Sequence, residues 1–287
     1  KNWDDIRVPA HIQMEGYGEP QYANVQYPWE GWEEVKLGEI PTHFNPVASY
    51  VKYFEVPENM KGKRVFISFQ GAEIGIAVWL NGVFVGYSED SFTPSEFELT
   101  NSLKDGENKL AVQVFKFTSS SWCEDQDFYR FSGIFRDVFL YDVPCAHVED
   151  LSVVPTLNDT FDEGTLSVSI KADGDGIASV RLYELGDLSV KKYDRAKLLL
   201  EEFDIELRNK EICEGSCNVK NPLLWSAEKP NLYEVKIIVK DTHGNETEFI
   251  SQLAGFRRFE MVDGLMKLNG KRIVFKGVNR HEFSSIT

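Results

Sequence analysis

The chain has 287 residues, with 31 basic and 46 acidic side chains and a formal net charge of -15. This length is too great for one ordinary core and predicts two domains, with the beginning of a third. The negative charge repels phosphate backbones and anionic lipid, and no apolar run approaches the length of a membrane span. We therefore expect neither nucleic acid nor a membrane as partner.

The first half of the chain has the pattern of many short strands. Runs rich in β-branched and aromatic residues occupy 64–69, 76–80, 83–87, 109–117 and 136–143. Between the second and third runs, Asn81-Gly82 predicts a two-residue type I′ hairpin, because both residues tolerate a positive φ. In 109–117, Leu110, Val112, Val114 and Lys116 share one face of the strand. Regular strand spacing without helical periodicity indicates a jelly roll or β-sandwich.

The sequence texture changes near Pro144 and again near Phe256. The second series of strands is shorter and more polar outside, as in an immunoglobulin-like sandwich. The segment 194–207 has some helical character, but its flanks are strands, so we predict a loop followed by a strand. The third segment contains a second hairpin signal, Asn269-Gly270, before the strand-like "RIVFK". The predicted domains are therefore 1–144, 145–255 and 256–287.

The four cysteines form no C-x-x-C pair, and the five histidines show no ligand spacing among themselves. This favours reduced thiols in a cytoplasmic protein and argues against a zinc site. The cysteines are Cys123, Cys145, Cys213 and Cys217.

The densest group of ionisable side chains is in "SWCEDQDFYRFSGIFRDV" at 121–138. Glu124, Asp125 and Asp127 repel one another unless an arginine or a cation compensates them. Aromatic neighbours such as Trp122 and Tyr129 suit a sugar, whose C–H groups stack on rings while carboxylates accept hydrogen bonds from its hydroxyls. On spacing alone, a solvated acidic loop is the favoured alternative.

A second polar cluster follows the last predicted strand. Asn279, Arg280, His281 and Glu282 come directly after "RIVFKGV". The end of a buried strand is where α/β enzymes commonly keep reactive groups. This segment is therefore a second candidate for chemistry.

Five ordered motifs together resemble the β-galactosidases of glycoside hydrolase family 2. They are "VPAHIQMEGYGEPQYANVQYP" (8–28), "EDQDFYRFSGIFRDV" (124–138), "NPLLWSAEKPNLY" (221–233), "GFRRFE" (255–260) and "LNGKRIVFKGVNRHE" (268–282). The resemblance implies an all-β chain: a jelly-roll sugar-binding domain, an immunoglobulin-like sandwich and the first strand region of a truncated TIM barrel. It also implies that a strand usually found ahead of "VPAH" is missing.

The resemblance carries functional residues over position by position. Asn24 is similar to a residue that hydrogen-bonds galactose, Asp127 to one that holds sodium and meets a sugar hydroxyl, and His281 to a histidine that contacts galactose. Arg280 is expected to pair with a carboxylate at the barrel mouth, and Asn279 receives no role. Neither catalytic glutamate has a counterpart before Thr287, and Glu282 matches neither of them. This chain is therefore expected to have no catalytic residue and no activity alone.

The implied function is the non-catalytic N-terminal part of a retaining β-galactosidase acting on terminal β-D-galactosides such as lactose. The complete enzyme would use sodium and magnesium, neither bound tightly by this fragment. Its partners would be the galactoside, the rest of the barrel and the C-terminal domains, in a homo-oligomer. Two alternatives stay open: a stand-alone carbohydrate-binding module that uses the aromatics around Trp122, and an interaction protein built from two β-sandwiches.

Overall fold

The computed structural model describes residues 3–124, 127–187 and 198–279. The chain divides into two compact units, residues 1–143 and 144–287. The described residues form strands and four short 3-10 helices, at Ile12–Glu15, Glu58–Met60, Thr100–Ser102 and Ser119–Trp122. None of the helices found there has the length and apolar character that crossing a membrane requires.

The first unit contains eleven strands within its described residues. They are β1 Gln21–Ala23, β2 Val47–Glu55, β3 Arg64–Phe69, β4 Ala72–Glu73, β5 Gly75–Leu80, β6 Val83–Glu89, β7 Ser95–Glu98, β8 Glu107–Phe115, β9 Phe128–Arg130, β10 Gly133–Ile134 and β11 Val138–Val143. A four-stranded sheet has the order β2-β8-β5-β6, and a three-stranded sheet has the order β11-β3-β7. Two ribbons, β1–β9 and β10–β4, complete the jelly roll.

One hydrophobic core joins the two larger sheets of this unit. Ile76, Val78 and Leu80 of β5 and Ile67 and Phe69 of β3 all belong to it. They alternate with outward residues because successive side chains of a strand point to opposite faces. The alternation predicted for β8 is confirmed, since Leu110, Val112 and Val114 are buried in the same core.

The Asn81-Gly82 hairpin between β5 and β6 is confirmed. Both residues have a positive φ, 54° and 85°, as a type I′ turn requires. The Asn81 side chain fixes the turn as well. Its Nδ2 donates to Ser102 O and to Asn108 Oδ1, both at 2.8 Å, and its Oδ1 accepts from Lys109 N at 3.0 Å.

The second unit is an immunoglobulin-like sandwich followed by a small antiparallel sheet. Its strands are β12 His147–Leu157, β13 Glu163–Asp173, β14 Gly176–Asp187, β15 Leu198–Leu207, β16 Ile212–Lys220, β17 Asn231–Asp241, β18 Glu246–Ala254, β19 Phe259–Val262, β20 Leu265–Leu268 and β21 Lys271–Arg272. The facing sheets have the orders β12-β13-β16 and β15-β14-β17-β18. Their core includes Ile170, Leu182 and Ile237, each fully buried.

Segment 198–207 forms strand β15, as predicted, because it pairs along the edge of β14. Residues 194–197, the first part of the predicted loop and strand, lie outside the described residues.

The small sheet contains two hairpins, of which one was predicted. Asn269 and Gly270 have φ values of 50° and 75° and join β20 to β21. Asn269 Oδ1 accepts from Arg258 N at 2.9 Å, and its Nδ2 donates to Trp225 O at 3.0 Å. A further Asp-Gly turn, at 263–264, joins β19 to β20 and was missed.

The strand predicted over "RIVFK" is wrong in its length. The strand register of β21 ends at Arg272, and the described residues that follow have no regular secondary structure. Val274, Phe275 and Val278 are exposed. A barrel strand is stabilised by neighbours on both sides, whereas in the described part this segment bonds to β20 alone, with a last backbone hydrogen bond from Ile273 N to Met266 O at 3.0 Å.

Candidate functional site

The ribbon formed by β1 and β9 brings together two of the three predicted site residues. Its antiparallel register pairs Tyr22 with Tyr129. Asn24 directly follows β1 and Asp127 directly precedes β9, so both lie at the same end of the ribbon. Both are exposed. The two strands come from distant parts of the first unit, and only their pairing makes one site of them.

The outer face of this ribbon combines aromatic rings with a carboxylate. The rings of Tyr22 and Tyr129 lie 5.5 Å apart between centroids, and each residue is 56% exposed. The Tyr22 hydroxyl donates a hydrogen bond to Asp127 Oδ1. This hydrogen bond is the main cause that raises the pKa of Tyr22, so the phenol stays a donor. Exposed rings beside a carboxylate and an amide are suited to a sugar.

The inner face of the ribbon rests on buried charged side chains. Glu73, Lys116 and Arg130, here called the buried charged layer, are 4% to 5% exposed. Burial raises the pKa of Glu73 to about 7, with a further contribution from Glu124, while Lys116 and Arg130 act in the opposite direction. Burial likewise lowers the pKa of Lys116. The carboxyl group and the ammonium therefore both have a weakened preference for charge.

The acidic residues of the 124–127 stretch have separate roles where the structure describes them. The Glu124 carboxylate accepts from Ser91 N at 2.9 Å and from Ser91 Oγ at 2.7 Å, which makes it a structural anchor. Asp127 faces solvent beside Tyr22. Asp125 lies outside the described residues. Arg136, a candidate partner for these acids, donates through Nη1 to the backbone carbonyl of Phe92 at 2.7 Å.

Trp122 packs inside the first unit instead of forming an open aromatic surface. Its ring meets Tyr27 and Trp29 edge to face, at centroid distances of 4.5 and 5.0 Å. Its Nε1 donates to Glu39 O at 2.7 Å. The exposed rings beside the acidic stretch are therefore those of the Tyr22–Tyr129 pair, and not the ring of Trp122.

The polar cluster at the end of the chain falls largely outside the described part. Arg280, His281 and Glu282 are not described, so the predicted galactose contact of His281 stays a prediction. Asn279 is described and exposed.

The described residues do not form a closed cation site. Within the three described ranges, no group of three or more His, Cys, Asp or Glu residues could hold a metal ion. Hard cations take several oxygen ligands, and Asp127 is one carboxylate, already accepting a hydrogen bond from Tyr22. A sodium ion there would need further oxygen ligands from elsewhere. No magnesium ligand was expected in this chain.

Sequence reasoning missed Tyr22 and the buried charged layer. A signal for Tyr22 existed, because Tyr22 and Asn24 are two apart in an extended segment and so share a face. Lys116 had been placed on the strand face of Leu110, Val112 and Val114, but its burial had not been predicted.

Family models match the chain in three consecutive segments. The sugar-binding domain of glycosyl hydrolases family 2 matches residues 1–144, the model described as glycosyl hydrolases family 2 matches 146–257, and the TIM barrel domain of that family matches 259–287. With the two β-sandwich units, these matches define the chain as part of a glycoside hydrolase. It belongs to glycosyl hydrolase family 2.

The chain is also similar to much longer individual proteins. A β-galactosidase of Halalkalibacterium halodurans is 49% identical over 100% of this chain and 28% of its own length. A β-galactosidase of Clostridium acetobutylicum is 49% identical over 99% of this chain and 31% of its own length. The chain thus spans less than a third of these relatives.

Similarity to a solved structure supports the fold. A β-glucuronidase of Bacteroides uniformis superposes with a TM-score of 0.69 at 24% identity, over 83% of this chain and 30% of that one. At this identity the likeness shows the fold alone.

Proposed function

We propose that this chain is the N-terminal, non-catalytic part of a retaining β-galactosidase that hydrolyses terminal β-D-galactosides. The observation that carries the proposal is the 49% identity to β-galactosidases over essentially the whole chain. Hydrolysis by the retaining route uses two carboxyl groups on opposite sides of the anomeric carbon. We assign both to the larger enzyme outside this chain.

In this proposal the β1–β9 ribbon supplies one edge of the sugar subsite. The Asn24 amide both donates and accepts hydrogen bonds, while an ionised Asp127 only accepts. The pair therefore suits hydroxyl groups, which do both. His281 is proposed to add a third contact, by resemblance alone. The chain's other role is that of a scaffold, supported by its two closed β-sandwich cores.

Asp127 is proposed as a ligand of a sodium ion in the complete enzyme. The support is one exposed carboxylate, of which Oδ1 accepts from Tyr22. Magnesium is proposed to bind elsewhere in the complete enzyme. We further propose a homo-oligomer, from the family resemblance, and a cytoplasmic location. The four free cysteines support that location, because disulfides are rare in a reducing compartment.

A stand-alone carbohydrate-binding module is the second candidate. The observation that favours it is the exposed Tyr22–Tyr129 pair, which offers a sugar ring an aromatic surface without any catalytic group.

The proposal is tested by measuring hydrolysis by the complete polypeptide that contains this chain. This polypeptide should cleave a chromogenic β-galactoside in preference to the matching β-glucuronide and β-mannoside. Preference for either of the other two glycosides would overturn the substrate assignment. A reading frame without two further catalytic carboxylates would favour the binding module.

A further inference from the structure

The buried charged layer is unusual because it brings three buried charged side chains together in one place. Among the described residues, four Asp, Glu, Lys or Arg side chains are buried: Glu73, Lys116, Arg130 and Glu234. The first three meet at the β1–β9 ribbon: Arg130 lies in β9 opposite Gln21, Lys116 Nζ lies 3.3 Å from Gln21 Oε1, and both basic groups act on the buried Glu73 carboxyl. Burying a charge costs several kcal/mol unless partners compensate, and apolar residues of similar volume often give equal stability. Stability alone therefore does not explain the layer.

Lys116 connects this layer to the β1 strand through one side chain. Its Nζ donates to Gln21 Oε1 at 3.3 Å. Gln21 Nε2 in turn donates to the backbone carbonyl of Pro28. The Gln21 side-chain amide thus has two partners. Its oxygen accepts from the buried Lys116 ammonium, and its nitrogen donates to Pro28 O.

This relay closes the loop that carries Asn24. Gln21 begins β1 and Pro28 lies beyond Asn24, so the amide bridge joins the two ends of the 21–28 segment. The loop is fixed further along as well, because Tyr27 stacks on the buried Trp29 at 5.2 Å. Asn24 itself is exposed. Its location therefore depends on these bonds around it.

Arg130, a member of the same layer, contacts described residues on both sides of Asp127. It is the cross-strand partner of Gln21, and its Nη1 donates to the Glu124 carbonyl at 3.1 Å. Its guanidinium also lies 4.5 Å from the centre of the Phe128 ring. Asp127 lies between these attachments. Described residues close to Asn24 and to Asp127 are thus each bonded to a buried basic side chain.

We propose that Lys116 is a positioning residue for the sugar subsite: through Gln21 it sets where Asn24 stands relative to Asp127. The inference rests on the proposed function, in which Asn24 contacts the sugar. Small displacements of a contact group reduce catalysis strongly even when the displaced group is chemically intact. A methionine at 116 would fill the same space without the hydrogen bond.

Kinetics of the complete enzyme test this role. Lys116→Met should raise KM for a galactoside about tenfold, and Lys116→Arg should recover part of the loss. The double variant Asn24→Ala/Lys116→Met should be no worse than Asn24→Ala alone, because Lys116 acts through Asn24. Lys52→Met, which changes an exposed lysine of β2, is the matched control and should leave KM unchanged. Where Asn24→Ala itself raises KM, an unchanged KM in Lys116→Met, or losses that multiply in the double variant, would refute the proposal.

Amide hydrogen exchange in the 287-residue chain separates this inference from the proposed function. Lys116→Met should speed exchange at 21–28 at least tenfold, with the exchange of β12–β18 unchanged. Gln21→Met, which leaves the buried charges in place, should do the same and keeps the test decisive if Lys116→Met fails to fold. If Asn24→Ala leaves KM unchanged, the sugar contact fails. Amide exchange at 21–28 then still decides whether Lys116 holds this loop. Unaltered exchange in both Lys116→Met and Gln21→Met would refute the proposal.

Discussion

Tyr22 donates a hydrogen bond to the Asp127 carboxylate across 105 residues of sequence. The contact follows from the pairing of β1 with β9, which places Tyr22 and Asp127 on the same outer face of the ribbon. One oxygen of Asp127 therefore has a fixed partner while the residue stays exposed to solvent.

Asp127→Asn in the complete enzyme should weaken the response of activity to sodium and raise KM about tenfold or more. The reason is that a charged carboxylate makes stronger hydrogen bonds and ion contacts than a neutral amide does. The melting temperature should change little, since the residue is exposed. Activity is measured against sodium concentration. Asp105→Asn, at another exposed acid of the first unit, is the control. A normal sodium response in the Asp127 variant would show that this residue is not the ligand.

The 287-residue chain alone should bind galactose with a Kd above about 1 mM. Small-molecule sites enclose most of the ligand surface, whereas Asn24 and Asp127 lie exposed at the end of a ribbon. Titration calorimetry measures the affinity, with Asn24→Ala/Asp127→Ala as the reference. Micromolar binding that this double variant abolishes would instead establish a stand-alone binding module.

The same chain should hydrolyse no β-galactoside. Retaining cleavage needs two carboxyl groups about 5 Å apart that flank the sugar. Glu124 is already bonded to Ser91, and it lies three residues from Asp127 on one stretch of chain. A chromogenic assay on the purified chain decides this. Turnover that disappears in Asp127→Asn or Glu282→Gln would show that the catalytic residues had been assigned wrongly.

Glu73 should make the first unit less stable as the pH rises from about 4.5 to 7. Its pKa is about 7 in the folded protein against an ordinary value of 4.5, so the native state holds more protons than the unfolded state in this window. Native stability therefore falls with rising pH, by at most about 3 kcal/mol in total. Glu73→Gln removes the titration, and its stability relative to wild type should increase with pH.

Denaturant unfolding between pH 5.5 and 8 measures that difference. Glu124, Lys116, Arg130 and His11 face Glu73, with His11 Nδ1 at 3.7 Å from Glu73 Oε2. Burial lowers the pKa of His11, so its contribution rises with pH and opposes that of Glu73. Comparing Glu73→Gln with wild type, both retaining His11, isolates the carboxyl group. A difference independent of pH would contradict the prediction.

The strands were largely predictable, because alternation is a local property of the sequence. Val180 and Leu182 alternate with polar neighbours in β14. Asn81-Gly82 indicates the hairpin between β5 and β6 without ambiguity. Segment 198–207 was harder. Its helical character is overridden by pairing with β14, a tertiary contact that composition does not contain.

The candidate site was less predictable than the strands. Asn24 and Asp127 came from a family resemblance, since β1 and β9 have three residues each and carry almost no strand signal of their own. Their pairing joins segments more than 100 residues apart, which no local pattern indicates. Lys116 shows the limit, because a lysine at the end of an apolar strand face is ordinarily expected to reach solvent.

The two Asn-Gly hairpins bear on how the protein ages. Asparagine followed by glycine is the sequence most prone to deamidation, in which the glycine nitrogen attacks the side-chain carbonyl. In both turns that carbonyl oxygen accepts a backbone N–H while the side-chain nitrogen donates to other groups, at Asn81 and at Asn269. These bonds restrain the rotation of each side-chain amide. Conversion to aspartate would remove the donors, so deamidation here would also destabilise the turns.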